Sequence, residues 1–128
     1  MREILFRGYA PAIAKYAYGY YSVFAGREHR IVNDDGVLWV FPDSVGQYTD
    51  MTDKNGVKIF EGDIVRYVNK DGTQSDYKTV WSEKFGAWVF EWVGHNSCGP
   101  MPGFCDLVEI IGNTYDNPEL LEVNRWIG

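Results

Sequence analysis

The chain has little of what most chemistry-bearing signatures require. It contains only two histidines, His29 and His95, and two cysteines, Cys98 and Cys105. Neither histidine sits with a Ser or Cys in a nucleophile motif, so acyl-transfer chemistry finds no support. A phosphate-cradling loop and a dinucleotide fingerprint are both missing. No apolar run approaches the roughly 18 residues of a membrane-spanning helix. Met1-Arg-Glu is followed by only three apolar residues before Arg7, too few for a secretory leader. These absences lead us to expect a cytoplasmic protein with both thiols reduced. Basic excess is absent as well. A net charge of −6 argues against strong non-specific binding to nucleic acid.

What is present is apolar and aromatic. Of 128 residues, 45% are hydrophobic and 16% aromatic, too rich for a disordered chain. The length fits one domain, or one domain with a small appendage, and is enough to bury a real core. Fourteen glycines and recurrent polar turns fit many short strands. Charge is unevenly spread. Residues 1–30 carry +3, residues 31–53 carry −5, residues 54–84 carry +1 and residues 85–128 carry −5. Ordinary solvated strand faces account for this pattern most simply.

Turn chemistry marks out the elements. Glu3 to Phe6 reads as a short strand, and Tyr9 to Ala14, with Pro11, as an irregular turn. Tyr16, Tyr18 and Tyr20 fall on one face at period two, with Ala17, Gly19 and Tyr21 on the other. A tyrosine face is half apolar and half polar, and suits a surface covered by another element or another chain. Asn33-Asp34-Asp35-Gly36 joins Arg30–Val32 to Val37–Phe41 as a hairpin, and Pro42 ends it. The central block from Val45 to Tyr67 holds two more turns. Asp53-Lys54-Asn55-Gly56 favours a tight antiparallel connection, and in Glu61-Gly62-Asp63 the glycine allows a sharp bend while Asp63 bonds nearby amides. Ile64–Val68 is a β-branched and aromatic strand. Asn69–Gly72 marks a further hairpin, leading to strands over Tyr77–Ser82 and Ala87–Val93. Gly94–Gly103 reads as a loop and Leu107–Ile111 as a final strand. Asn117-Pro118-Glu119-Leu120-Leu121-Glu122 reads as a short helical turn, with a capping Asn and Pro at its first position.

Candidate sites are few. Asp50, Asp53, Asn55, Glu61 and Asp63 do not fit the calcium-loop template, because Met51 and Gly62 fall where its end ligands belong. His95, Cys98, Cys105 and Asp106 are spaced too loosely for a zinc site. We therefore expect no metal, no cofactor and no catalytic residue. Lys58, Arg66, Tyr67 and Lys70 in the middle of the chain are candidate nucleic-acid contacts, since a small barrel presents aromatics for stacking beside basic groups. Tyr16, Tyr18 and Tyr20, together with Trp126 near the C-terminus, are candidates for self-association.

Three segments resemble one family. They are Met1–Gly8, the block from Val45 to Tyr67, and Glu109-Ile-Ile-Gly-Asn-Thr-Tyr-Asp-Asn-Pro-Glu-Leu-Leu121, with Tyr18-Gly19 after Tyr16 as a shorter match. In order and spacing they are similar to the phage YopX family. Residues 69–108 carry no recognisable family pattern. The resemblance implies a phage or prophage protein and brings no catalytic residue with it. Taken together, we expect an all-β fold: an N-terminal β-hairpin unit over residues 1–44 and a small SH3-like barrel over residues 45–128, or one continuous domain, ending in the short helical turn. The function expected is non-enzymatic: a protein-interaction or assembly module, forming homo-oligomers or binding a phage or host protein. The alternatives are weak nucleic-acid binding through the barrel, and an unrecognised enzyme.

Overall fold

The computed structural model describes residues 3–95 and 97–122. All regular elements are β-strands or short 3-10 turns. The strands are β1 (Phe6–Ala10), β2 (Lys15–Phe24), β3 (Glu28–Asn33), β4 (Gly36–Trp39), β5 (Gly46–Thr52), β6 (Lys58–Phe60), β7 (Asp63–Val68), β8 (Gln74–Ser82), β9 (Ala87–Trp92), β10 (Cys98–Pro100) and β11 (Glu109–Asn113). The 3-10 turns cover Pro42–Ser44, Cys105–Leu107 and Pro118–Leu121. Among the described residues no helix is long and apolar enough to cross a membrane.

The strands form two open antiparallel sheets, and among the described residues neither closes into the expected barrel. One has the order β4-β3-β2-β1-β5-β6 and the other β10-β9-β8-β7-β11. Contacts divide the chain into two units, Met1–Asp50 and Met51–Gly128, so that β5 begins in the first and ends in the second. Ser44, where the sequence places a break, ends the first 3-10 turn.

The first unit is built by three tight reversals. β1 starts at Phe6 and runs through Tyr9, beyond the strand expected over Glu3–Phe6. Pro11 confines the turn to Pro11–Ala14, where Ala14 takes a positive φ of 54°. Phe6 to Ala10 then pair with Gly19 to Lys15. Asn33 and Gly36 face each other across the two-residue turn, and the Asn33 side chain accepts from the Asp35 amide at 2.9 Å. One face of this sheet buries Ala10, Ala17, Ile31 and Val40, with Phe6, Tyr21, Leu38 and Val45 packed against them. Gly8 is needed here, because a Cβ on it would meet the Val40 side chain at 2.8 Å.

The second unit has a larger core of Ile59, Val65, Phe90, Met101, Cys105 and Val108, ringed by Met51, Tyr67, Tyr77, Trp88, Phe104 and Ile110. Asp53 ties its beginning to its end. The buried carboxylate accepts from the amides of Asn55 (2.9 Å) and Val57 (3.0 Å) in its own turn and of Ile110 (3.0 Å) in β11. Asp63, also buried, accepts from the Phe60 amide at 2.7 Å across the turn at Gly62, whose φ is +90°. Both acids complete turns, as the spacing anticipates. The C-terminal helical turn is 3-10 in type, and Asn117 does not cap it. Its side chain instead accepts from the Asn113 amide at 3.2 Å. The final strand begins at Glu109 and not Leu107, because Cys105–Leu107 winds into a 3-10 turn.

Candidate interaction face

In an antiparallel sheet, residues on one face alternate with residues on the other, and cross-strand partners share a face. The pairs Tyr20↔Val32, Ser22↔Arg30 and Phe24↔Glu28 join β2 to β3, and Val32↔Val37 and Arg30↔Trp39 join β3 to β4. Since Ile31 and Leu38 point into the first unit's core, Tyr18, Tyr20, Phe24, Val32, Val37 and Trp39 all lie on the opposite, outer face. That face is open. Tyr18 is 47% exposed, Tyr20 70%, Phe24 58%, Val37 52% and Trp39 62%. Single exposed apolar residues are ordinary on a protein surface, whereas five on one sheet face are a contiguous patch.

Charges frame the patch at both ends. At one end Tyr9 meets Tyr16 edge-on at 5.5 Å and stacks on Phe41 at 6.2 Å, and the Arg7 guanidinium lies over the Tyr16 ring at 5.1 Å. At the other end the Arg30 guanidinium sits 4.3 Å over the Phe24 ring and donates to Glu28 at 2.7 Å. A guanidinium over a ring face is held by the ring's quadrupole. Both ends are therefore pre-ordered, and Tyr18, Tyr20, Val37 and Trp39 between them are exposed.

Sequence periodicity already places Tyr16, Tyr18 and Tyr20 together. Tyr16 is half-buried among Tyr9 and Arg7, and Tyr18 and Tyr20 are the open members. Phe24, Val37 and Trp39 go unread in the sequence. The signal for them exists: extending the alternation reaches Phe24, and the two-residue turn fixes the register that brings Val37 and Trp39 alongside. Trp126 lies outside the described residues.

The other candidate set is dispersed. Arg66 and Tyr67, adjacent in β7, point to opposite faces of the second sheet. Arg66 forms a bidentate pair with Asp76 at 2.8 and 3.0 Å, and hydrogen bonding to that carboxylate raises its pKa further. Tyr67 packs on Phe104 at 5.4 Å against the core. Lys58 is exposed on β6, and Lys70 is exposed in the turn after β7. The same outer face of the second sheet pairs Lys78 with Glu91 at 3.1 Å.

Near the sequence's loose His and Cys cluster, His95 stacks on Trp92 with ring centroids 3.9 Å apart. Cys98 is exposed on β10, whereas Cys105 is buried in the core, where desolvation and the nearby Asp106 charge push its thiol pKa up. An apolar groove of about 390 Å³ runs between Tyr77, Trp92, Phe104, Cys98, Pro100 and Pro102. Among the described residues no three His, Cys, Asp or Glu side chains converge as a metal site.

Two comparisons bear on this architecture. The family model described as YopX protein matches residues 13–122. The fold is similar to the crystal structure of protein EF1440 from Enterococcus faecalis, with a TM-score of 0.60 over 95% of this chain and 100% of that one, at 21% identity. No curated protein sequence matches the chain.

Proposed function

The chain belongs to the YopX family, and from that premise we propose that it is a non-enzymatic phage or prophage accessory protein of the host cytoplasm that works as a protein-interaction and assembly module. The observation that carries this reading is the open outer face of the first unit, with Tyr18, Tyr20, Phe24, Val37 and Trp39 exposed on one sheet surface. A sheet face that leaves this much aromatic area exposed gains from burial against another surface. Aromatic residues supply large contact area at low cost in side-chain freedom, which suits them to protein interfaces. The partner this reading commits to is a second copy of the chain.

Sedimentation velocity over a wide concentration range tests it. The wild type is expected to assemble, and Tyr20→Glu, which places a charge in the middle of the face, is expected to weaken assembly by about tenfold or more, near 1.4 kcal/mol. A protein that stays monomeric at every concentration, or an oligomer indifferent to Tyr20→Glu, refutes the outer-face reading.

A second reading draws on Arg7 and Arg30, which flank the tyrosines. Aromatics beside guanidinium groups suit stacking of single-stranded nucleic acid. Binding to labelled single-stranded DNA or RNA that falls steeply with added salt supports it. Absence of binding at low salt removes it.

A further inference from the structure

We propose that β4 of the first unit pairs antiparallel with β4 of a second copy, about a two-fold axis at Leu38, to make one continuous sheet. This rests on the self-association reading above and adds an edge contact, which extends the outer face across both copies and does not itself cover Tyr20 or Phe24. β4 is the last strand of its sheet. Within antiparallel pairs, bonded and non-bonded positions alternate. The Val40 amide donates to the His29 carbonyl at 3.0 Å, so Leu38 opposite Ile31 is a bonded position, and Val37 and Trp39 are not. The N–H and C=O groups of Val37 and Trp39 thus point away from β3, along the free edge. What fits such a row of donors and acceptors is another strand.

The other edges of the described sheets carry protection that β4 lacks. β10 is three residues long and ends in Pro100. β11 has a register shift between Ile110 and Gly112 and starts at the charged Glu109. β6 is three residues long and begins with Lys58. β4 reads Gly36-Val-Leu-Trp39, with no charge, no proline and no bulge. Its two outward-bonding residues also carry exposed side chains.

The strand is complementary to itself. Centring the pair on Leu38 sets Val37 opposite Trp39 of the second copy and Trp39 opposite its Val37. Every outward amide and carbonyl of the two residues is then satisfied, and Leu38 faces Leu38. Each Trp39 lies against a β-branched residue on the outer face, a favourable cross-strand pair. The row Tyr20–Val32–Val37 continues into Trp39 and Arg30 of the second copy. Antiparallel pairing also keeps the acidic Asp34-Asp35 turns of the two copies at opposite ends of the seam, whereas a parallel seam sets them side by side. Beyond Val40 the chain leaves the edge, because the Phe41 amide donates to the Tyr9 carbonyl.

Two variants test the seam. Leu38 opposite Leu38 is a non-bonded pair, with Cβ atoms about 4.5–5.5 Å apart, close to disulfide reach. In a Cys98→Ser background, Leu38→Cys is expected to give a covalent dimer under mild oxidation, and Ser22→Cys on β2 is not. Trp39→Pro removes a donor that faces the seam and leaves the bonds from β4 to β3 in place. It is expected to weaken the dimer about tenfold or more, with hydrogen-exchange protection of β3 unchanged. An oligomer that Tyr20→Glu dissociates, but in which Leu38→Cys fails to cross-link and Trp39→Pro has no effect, overturns the seam and leaves the assembly reading standing. Cross-linking at Leu38 with indifference to Tyr20→Glu leaves the seam standing and overturns the outer face as a contact surface. A monomer under all conditions overturns both.

Discussion

The two units spend similar residues differently. In the first, one sheet face buries a small core of alanines, Ile31 and Val40 with Phe6 and Tyr21 against it, while Tyr18, Tyr20, Phe24 and Trp39 are exposed on the other face. In the second, Phe90, Tyr77, Tyr67 and Phe104 pack inward, Trp81, Phe85 and Trp92 stay exposed, and beside the buried Ile64 and Val89 the alternate positions carry charges that neutralise one another, Arg66 with Asp76 and Lys78 with Glu91. An aromatic count alone therefore says nothing about a core. What separates the units is what lies behind each strand. The second unit has Met101, Cys105 and Val108 in its core beside the sheet residues, and the first offers its outer aromatics no such cover.

The sharpest way to break this contrast is Asp53→Ala. Removing a buried carboxylate strands three backbone donors, and we expect a loss of about 3 kcal/mol. Segment-resolved hydrogen exchange should find that loss in the second unit and leave β2–β4 protected. Equal deprotection of both units would show that the division has no energetic meaning. Gly8→Ala attacks the first unit in the same way. Its methyl group is forced against Val40, at a cost of about 1–3 kcal/mol, and denaturant unfolding should register it, with protection lost in β1–β4.

Arg66→Ala should cost about 1 kcal/mol, because the half-buried bidentate pair is still partly screened by solvent. Its pH signature is also defined. Arg66 has a raised pKa, so its contribution is fully present below the ordinary arginine value and is lost only as pH rises through the still higher folded value. Thermal unfolding between pH 6 and 9 should therefore show a constant difference from wild type. The smallest effect belongs to the outer face. Tyr18→Ser with Tyr20→Ser should change the stability of the monomer by no more than about 0.5 kcal/mol, measured under conditions where the chain does not assemble. A loss of 2 kcal/mol would mean that these side chains are buried within their own chain, and the contrast between the units would fail.

Much of this was readable in the residues. The hairpin at Asn33–Gly36, the turns at Asp53–Gly56 and Gly62, and the shared face of Tyr16, Tyr18 and Tyr20 follow from local turn chemistry and period two. Closure did not follow. Whether β11 returns to β7 or the sheet rolls shut depends on pairings between residues more than 40 apart, and strand periodicity is silent on these. Pro11 suggested an irregular stretch from Tyr9, yet β1 absorbs Tyr9 and Ala10 because both have partners in β2. Arg66 and Tyr67 look like a basic–aromatic pair in sequence, and the pleat sends them apart. Asn117 has the composition of a cap, but the Asn113 amide claims its side chain first.

The Asp53 carboxylate has a consequence for the order in which the chain matures. Its third donor, the Ile110 amide, lies 57 residues downstream. At roughly 5–20 residues per second, a ribosome delivers that donor about 3–11 s after Asp53 itself. All the pairings of β1 to β4 are available by then. A nascent chain paused short of Ile110 thus presents a finished N-terminal sheet with its β4 edge open, ahead of a C-terminal half still waiting for its last strand.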